Sequence, residues 1–503
     1  MKRRVFSLML ILSFLLAACG ETESETVVTT AGSTDSSSAV ETEISYDPGL
    51  PDVDYDGYEF TFAVRGDGSG SGAWHSTDLV ADELNGETLN DAIYQRTSYI
   101  EEKYNVHFNL MWCGGTSVGL TGSAMSKVIN QTIMAGDDTI DVILSSPYDS
   151  VGYMINNLIV DLNEVEYLDL TKPWWDQNAN ENLSFGDKIF FTTGELTIVD
   201  NKCTYGMIYS KNVAEMYNIE SPYDAVRNGT WTLDKIITDT KLVTTDLNGD
   251  TIMDQNDRYG FISWQDNCFG MIHSMGNRFG EINSNGEPEL TFYTERLVNT
   301  WEKLINFAND PGFLGLMPGH KVITSFGSSA SVEQVLASML DNDQFLYAFA
   351  TTNSVLQLRE CEADFGILPM PKYDESQERY YSTAHGYGTT LMSIPVTASD
   401  TSRTGLLMEA FAAKSMELVT PAFYNVTLTG KTVRDEDSKE MLDIIYANKI
   451  YDIGYFFQWG NLTNLVMNAY NAKDINISSI YEGAESAALN DVETAKEIFA
   501  SLE

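Results

Sequence analysis

Basic residues are scarce in this sequence. Thirty lysines and arginines stand against 73 aspartates and glutamates, giving a net charge of −43. A surface this acidic repels nucleic-acid phosphates and anionic lipid headgroups, so neither is expected as a partner. Cysteine is rare as well, at five in 503 residues, and none occurs in CxxC spacing. That argues against a thiolate metal centre and leaves Cys113, Cys203, Cys268 and Cys361 as buried free thiols or at most one disulfide. After residue 18 no stretch is long and apolar enough to span a bilayer. HExxH and phosphate-loop motifs are missing, as is any internal repeat.

What is present starts with compartment. Lys2, Arg3 and Arg4 precede an apolar stretch from Val5 to Leu16, which closes on Leu16-Ala17-Ala18-Cys19. The stretch suits a cleaved signal better than a permanent helix. Small residues before a cysteine resemble the bacterial lipobox, which implies acylation of Cys19 after removal of residues 1–18. Two or three acyl chains anchor stably where one does not. Residues 19–50 are dominated by Ser, Thr, Glu, Ala and Val and read as a disordered tether with little to bury. As a coil it would hold the body roughly 30 Å from the membrane. The expected location is extracellular, lipid-anchored to the outer face of the cytoplasmic membrane. Losing Lys2, Arg3 and Arg4 would take the charge from −43 to −46.

Roughly 450 residues then remain, too many for one hydrophobic core, so two large lobes are expected. Tyr58 to Val64 (YEFTFAV) alternates with the period of a strand and runs into a glycine-rich loop, Arg65 to Gly72. Leu89, Ala92, Ile93, Ile100 and Tyr104 mark one helix face, and Val106 to Leu110 alternates again. Ser123 to Ala135 reads as a helix stopped by Gly136, and Ile140 to Leu144 as a buried parallel strand. This alternation predicts a doubly wound α/β lobe, with ligands met by loops at the carboxyl ends of strands. Those loops supply Arg65, Asp67, Trp74 and His75 after the first strand, and Tyr148 after the third. His75 reads as an ordinary surface histidine. Further on, Ile189–Thr193, Cys203–Tyr209, Gly366–Leu368 and Thr389–Ile394 read as strands. Thr232–Val243, Phe292–Ala308 and Asp491–Leu502 read as helices. Trp174 and Trp175, beside Pro173, read as packing or hinge residues.

The order of segments resembles the maltose-binding-protein-like solute-binding proteins of ABC importers (family 1 type), in their larger, Gram-positive, lipid-anchored form. LNDAIYQRTSYIEEKYNV (Leu89 to Val106), AGDDTIDVILSS (Ala135 to Ser146), LIVDLNEV (Leu158 to Val165), MIYSKNVAEMY (Met207 to Tyr217) and NGTWTLDKI (Asn228 to Ile236) carry the likeness. The resemblance implies a two-lobed periplasmic-binding-protein-like α/β fold with a hinge and a ligand cleft between the lobes. Lobe one would hold residues 55–162 plus 385–428, and lobe two residues 163–384 plus 429–503. It also implies that Trp264, Asp266 and Asn267 contribute ligand contacts, and that Trp459, within YFFQWGN, stacks on a sugar ring. The expected function is non-enzymatic: a monomeric receptor binding a small-molecule carbohydrate, an oligosaccharide, and delivering it to ABC transporter permease subunits.

One motif points to a metal. DLNGDTIMDQND (Asp246 to Asp257) sets Asp246, Asn248, Asp250, Asp254 and Asp257 at loop positions 1, 3, 5, 9 and 12, with the Ile252 carbonyl at position 7. Calcium takes six to eight hard oxygens on such a tightly turning loop, and the pattern resembles the calcium loops of dockerins. Thr251 departs from it, standing where glycine normally makes the sharp turn. A structural Ca2+ is expected.

Two other functional classes fit the composition. A secreted glycoside hydrolase would need two carboxylates flanking a scissile bond, and no pair among 73 acids stands out in the sequence. A receptor for a peptide or another charged solute would need a buried countercharge, for which Arg65 is the best placed.

Overall fold

The computed structural model describes residues 46–68, 74–115, 122–316, 320–327, 330–358, 361–428 and 436–501. The expected signal segment, Cys19 and the tether up to residue 45 lie outside the described residues. Leu50, inside the expected tether, already packs against a hydrophobic core.

The first sheet is built as the alternation predicts. β1 (Tyr58–Val64), α1 (Thr88–Tyr104), β2 (Val106–Trp112), α2 (Ala124–Met134), β3 (Val142–Ser145) and α3 (Pro147–Ile155) follow one another. Phe60, Phe62 and Val64 point into one core with Phe108, Val142 and Leu144. β1 pairs in parallel with β2 from Tyr58↔Val106 to Val64↔Trp112, and with β3 on its other side. α1 stops because Asn105 adopts the left-handed conformation at φ 50°, a role asparagine fills readily. Ser123 caps α2 by accepting from the Ser126 amide.

The second sheet comprises β4 (Tyr205–Ser210), β5 (Tyr259–Trp264), β6 (Phe313–Leu316), β7 (Phe345–Thr351) and β8 (Phe365–Leu368), in the order β8-β4-β7-β5-β6. β5 is parallel to β6 and β7, while β4 runs antiparallel to β7 and β8. α4 (Leu233–Val243) lies so close to β5 that a Cβ on Gly260 would overlap Thr240. Between the strands come α5 (Asn267–Ser274), α6 (Lys321–Ser325) and α7 (Val332–Asp341). The helix expected from Phe292 starts at Glu295, capped by Thr294, and buries Leu297, Trp301, Leu304, Ile305 and Ala308 as its pattern requires.

The chain then returns to the first sheet. β9 (Leu391–Ser393) adds antiparallel to β3, and α8 (Thr401–Leu428) packs along α1. The Arg96 guanidinium of α1 lies 3.9 Å over the Phe411 ring of α8. Two expectations need correction. Residues 189–193 form no strand; Thr192 only exchanges backbone bonds with Met392, at 3.0 and 2.7 Å, within an otherwise irregular crossing segment. The closing helix, α9 (Ile477–Ser501), begins fourteen residues before the expected Asp491. No described helix is long and apolar enough to cross a membrane.

Candidate functional site

A cavity of about 490 Å³ opens where the carboxyl ends of β5 and β7 meet the loop after β1 and the segment returning to β9. Trp74 lines it from the first-sheet side, Trp264 and Asp266 from the end of β5, and Phe349 to Thr351 from the end of β7. Because β4 runs antiparallel to β7, with Tyr205 opposite Thr351, the start of β4 brings Tyr205 to the same rim. His385 completes it from the returning segment. The volume is typical of a small-molecule site.

The polar groups here are unusually poised. Burial, only partly offset by a hydrogen bond from Trp264, raises the Asp266 carboxyl to about 6. Burial first, and then the nearby Arg65 charge, push His385 down to about 3. At neutral pH the site therefore holds an anionic Asp266 and a neutral imidazole. The Tyr205 hydroxyl and His385 Nδ1 are buried without a hydrogen-bond partner, an arrangement that native interiors rarely leave uncompensated. The part-exposed Asp266 carboxylate thus offers an acceptor beside the indoles of Trp74 and Trp264. That combination suits a hydroxylated ring with an apolar face.

Of the residues singled out from sequence, Trp74, Trp264 and Asp266 thus share one cavity. The others lie elsewhere. Arg65 is buried, donating to the carbonyls of Tyr387, Gly388 and Thr389 and to Thr390 Oγ1, at 2.6–3.3 Å. It clamps the returning segment to β1 and is not a free countercharge. Asp67 is exposed at the loop start. Tyr148 is buried, its ring edge-on to Tyr455 at 6.1 Å. Asn267 is buried in the first turn of α5, with Oδ1 unpartnered. Trp459 is 1% exposed and packs against Phe457 and Gly280, so the expectation of a stacking platform is corrected to a core residue. His75 is partly buried over Gly66 and is not an ordinary surface histidine. Trp174 and Trp175 are core residues, with Trp175 Nε1 donating to Glu409 at 2.8 Å.

Tyr205, Phe349 and His385 escaped the sequence reading. Each sits in a segment whose local pattern is that of a plain strand or crossing; the antiparallel registration of β4 with β7 brings Tyr205 and Phe349 together, and the Arg65-clamped returning segment adds His385. A second cavity, of about 430 Å³, is lined by Arg278, Glu281, Arg379 and Tyr381 among others, and holds none of the predicted residues.

The loop Asp246–Asp257 makes the sharp turn despite its threonine, with Thr251 at φ +69°. Its acids serve backbone amides: Asp246 accepts from Gly249 and Thr251, Asp250 from Ile252, and Asp257 from Leu247 and Asp254. Asn248 and Asp254 cap the amides of Asp250 and Asn256 in the same way, and Ile252 is exposed. Among the described residues, no group of three or more acids, histidines or cysteines is disposed to hold a metal. The loop as folded is a self-capped turn and not a formed cage.

No family model and no curated protein match this chain. Solved structures do. A cyclo/maltodextrin-binding protein complexed with maltotetraose is similar at 10% identity, covering 88% of this chain and 96% of its own, with a TM-score of 0.52. An ABC substrate-binding protein from Listeria monocytogenes in complex with cycloalternan gives 12% identity, 88% and 100% coverage, and 0.52. The apo form of RafE from Streptococcus pneumoniae gives 11%, 87% and 98%, and 0.51. At such identities the likeness shows the fold: this chain has the two-lobed α/β architecture of those binding proteins.

Proposed function

We propose that this chain is the substrate-binding component of an ABC importer, taking a carbohydrate into the cleft and handing it on unchanged. One observation carries the reading. Trp74, Trp264 and Asp266, from opposite sheets, converge with Tyr205 and His385 on a single cavity at the strand ends, in a fold whose solved examples are complexed with maltotetraose and cycloalternan. The ligand is an oligosaccharide or a related neutral glycoside, and the partners are ABC transporter permease subunits in the membrane. An anionic solute fits poorly, because Arg65 is occupied by carbonyls and the cavity's own charged side chains are carboxylates. The proposal includes acylation at Cys19 of a monomer outside the cytoplasmic membrane, supported by the lipobox-like run at residues 16–19.

Calcium at Asp246–Asp257 is a separate part of the proposal. It rests on the oxygen spacing and on the completed turn at Thr251. Asp246, Asn248, Asp250, Asp254, Asp257 and the Ile252 carbonyl would hold the ion, whose contribution would be structural.

Equilibrium dialysis against labelled neutral oligosaccharides, followed by analysis of the recovered glycan, tests the carrier reading. Retention of intact glycan supports it; cleavage products would identify a hydrolase instead.

A further inference from the structure

The cleft has two chemically unlike sides. On one, Asp266 presents an anionic acceptor beside the rings of His385 and Tyr205, whose Nδ1 and hydroxyl are buried without a partner. On the other, Ile323 of α6 and Val332 and Leu336 of α7 face the cavity with Phe349 and Ala350, interspersed with the hydroxyl residues Thr324, Ser331, Thr351 and Ser354. Those aliphatic groups offer no hydrogen bonds. A hydroxyl pressed against them would lose its hydration with nothing in return, whereas an apolar group there would gain from leaving water. Among the described lining residues the charged side chains are Asp266 and Glu333, with no lysine or arginine. His385 is held neutral by burial and by Arg65.

Resting on the carbohydrate reading, we infer that the preferred ligand is amphipathic: an uncharged sugar whose hydroxyls meet Asp266, Tyr205 and His385, and which carries an apolar substituent against Ile323, Val332 and Leu336. A deoxy-sugar methyl and an apolar aglycone supply the same chemistry. A fully hydroxylated glycan offers no apolar group to Ile323, Val332 and Leu336, and a uronate meets two carboxylates.

Calorimetric titration with matched sets decides this, using the methyl, phenyl and 6-deoxy methyl glycosides of glucose, galactose and mannose on the purified protein. For at least one sugar, the phenyl member binds about tenfold tighter than its methyl parent, or the 6-deoxy member about threefold tighter. A gain confined to the phenyl arm identifies an aglycone, and a gain confined to the 6-deoxy arm identifies a deoxy sugar. Val332→Asn, at the partly exposed first position of α7, brings that ratio close to one. Equal affinities across a set that binds, or a ratio unchanged by Val332→Asn, overturn the inference and leave carbohydrate binding standing. If Val332→Asn fails to fold by its melting curve, the wild-type ratio decides alone. Absence of binding by every sugar, oligosaccharides included, removes both readings.

Discussion

Nε2 of His385 lies 3.9 Å from Oδ2 of Asp266, joining the segment that returns to the first sheet with the loop that leaves the second. The contact is not an ion pair at neutral pH, because His385 titrates near 3 and Asp266 near 6. An ionised carboxylate accepts on both oxygens; a protonated one loses part of that capacity. Ligand affinity should therefore be constant above about pH 7 and fall as pH drops through 6, by up to about tenfold per unit if only the anion binds. Calorimetry between pH 5 and 8 checks this, and Asp266→Asn should bind more weakly with a flat profile. A wild-type affinity that rises on acidification would contradict the assignment.

Arg65 should matter for folding and not for charge selectivity. Its guanidinium satisfies carbonyls of Tyr387 and Gly388 at 2.7 and 2.6 Å, and Thr390 Oγ1 at 2.8 Å, in a buried setting. Arg65→Met leaves those acceptors without donors, which costs about 3 kcal/mol or more. A lowered urea midpoint is expected. Ligand affinity in the folded fraction should show the same weak salt dependence as wild type.

Trp459 and Trp264 should separate stability from binding. Trp459→Ala empties a packed site beside Gly280 and Phe457 and should destabilise by roughly 3–5 kcal/mol. Trp264→Ala removes a partly exposed cavity wall that also packs on the core and should cost about 2 kcal/mol of binding, near thirtyfold, with a smaller fall in melting temperature than Trp459→Ala. Thermal melts and calorimetry on both variants check the pair. The opposite outcome would return Trp459 to the ligand site.

The loop Asp246–Asp257 tests calcium independently. At an ion concentration a hundredfold above the dissociation constant, binding adds about 2.7 kcal/mol. Chelator should then lower the melting temperature of the wild type, and Asp246→Ala with Asp250→Ala should abolish that difference. An unchanged wild-type melt would leave the loop as the self-capped turn that its amide bonds describe.

The first sheet was largely readable because its strands pair over their own alternating lengths. Phe60, Phe62 and Phe108 are buried where period two puts them. The crossing segments were not. Ile189–Thr193 has strand-like residues but a single β-bridge, from Thr192 to Met392, and one bridge does not make a ladder. Local pattern also could not tell Trp264 from Trp459: both are aromatic residues near a helix start, and burial by distant chain decides their roles. Tyr205 and His385 carry no local signal, since their meeting depends on the register of β4 against β7 and on the Arg65 clamp. The Asp246–Asp257 loop was legible as a turn, while the disposition of its oxygens depends on which amides they cap.

The central claim is that the cleft containing Trp74, Trp264 and Asp266 binds a neutral carbohydrate. Titration calorimetry of the purified wild type and Trp264→Ala, in parallel against a panel of neutral oligosaccharides and glycosides, tests it most directly. The account predicts saturable binding of at least one member by the wild type, little affected by added salt, and weakened about thirtyfold in Trp264→Ala. Wild-type binding that survives intact in Trp264→Ala, or a panel in which only charged solutes bind, would contradict it.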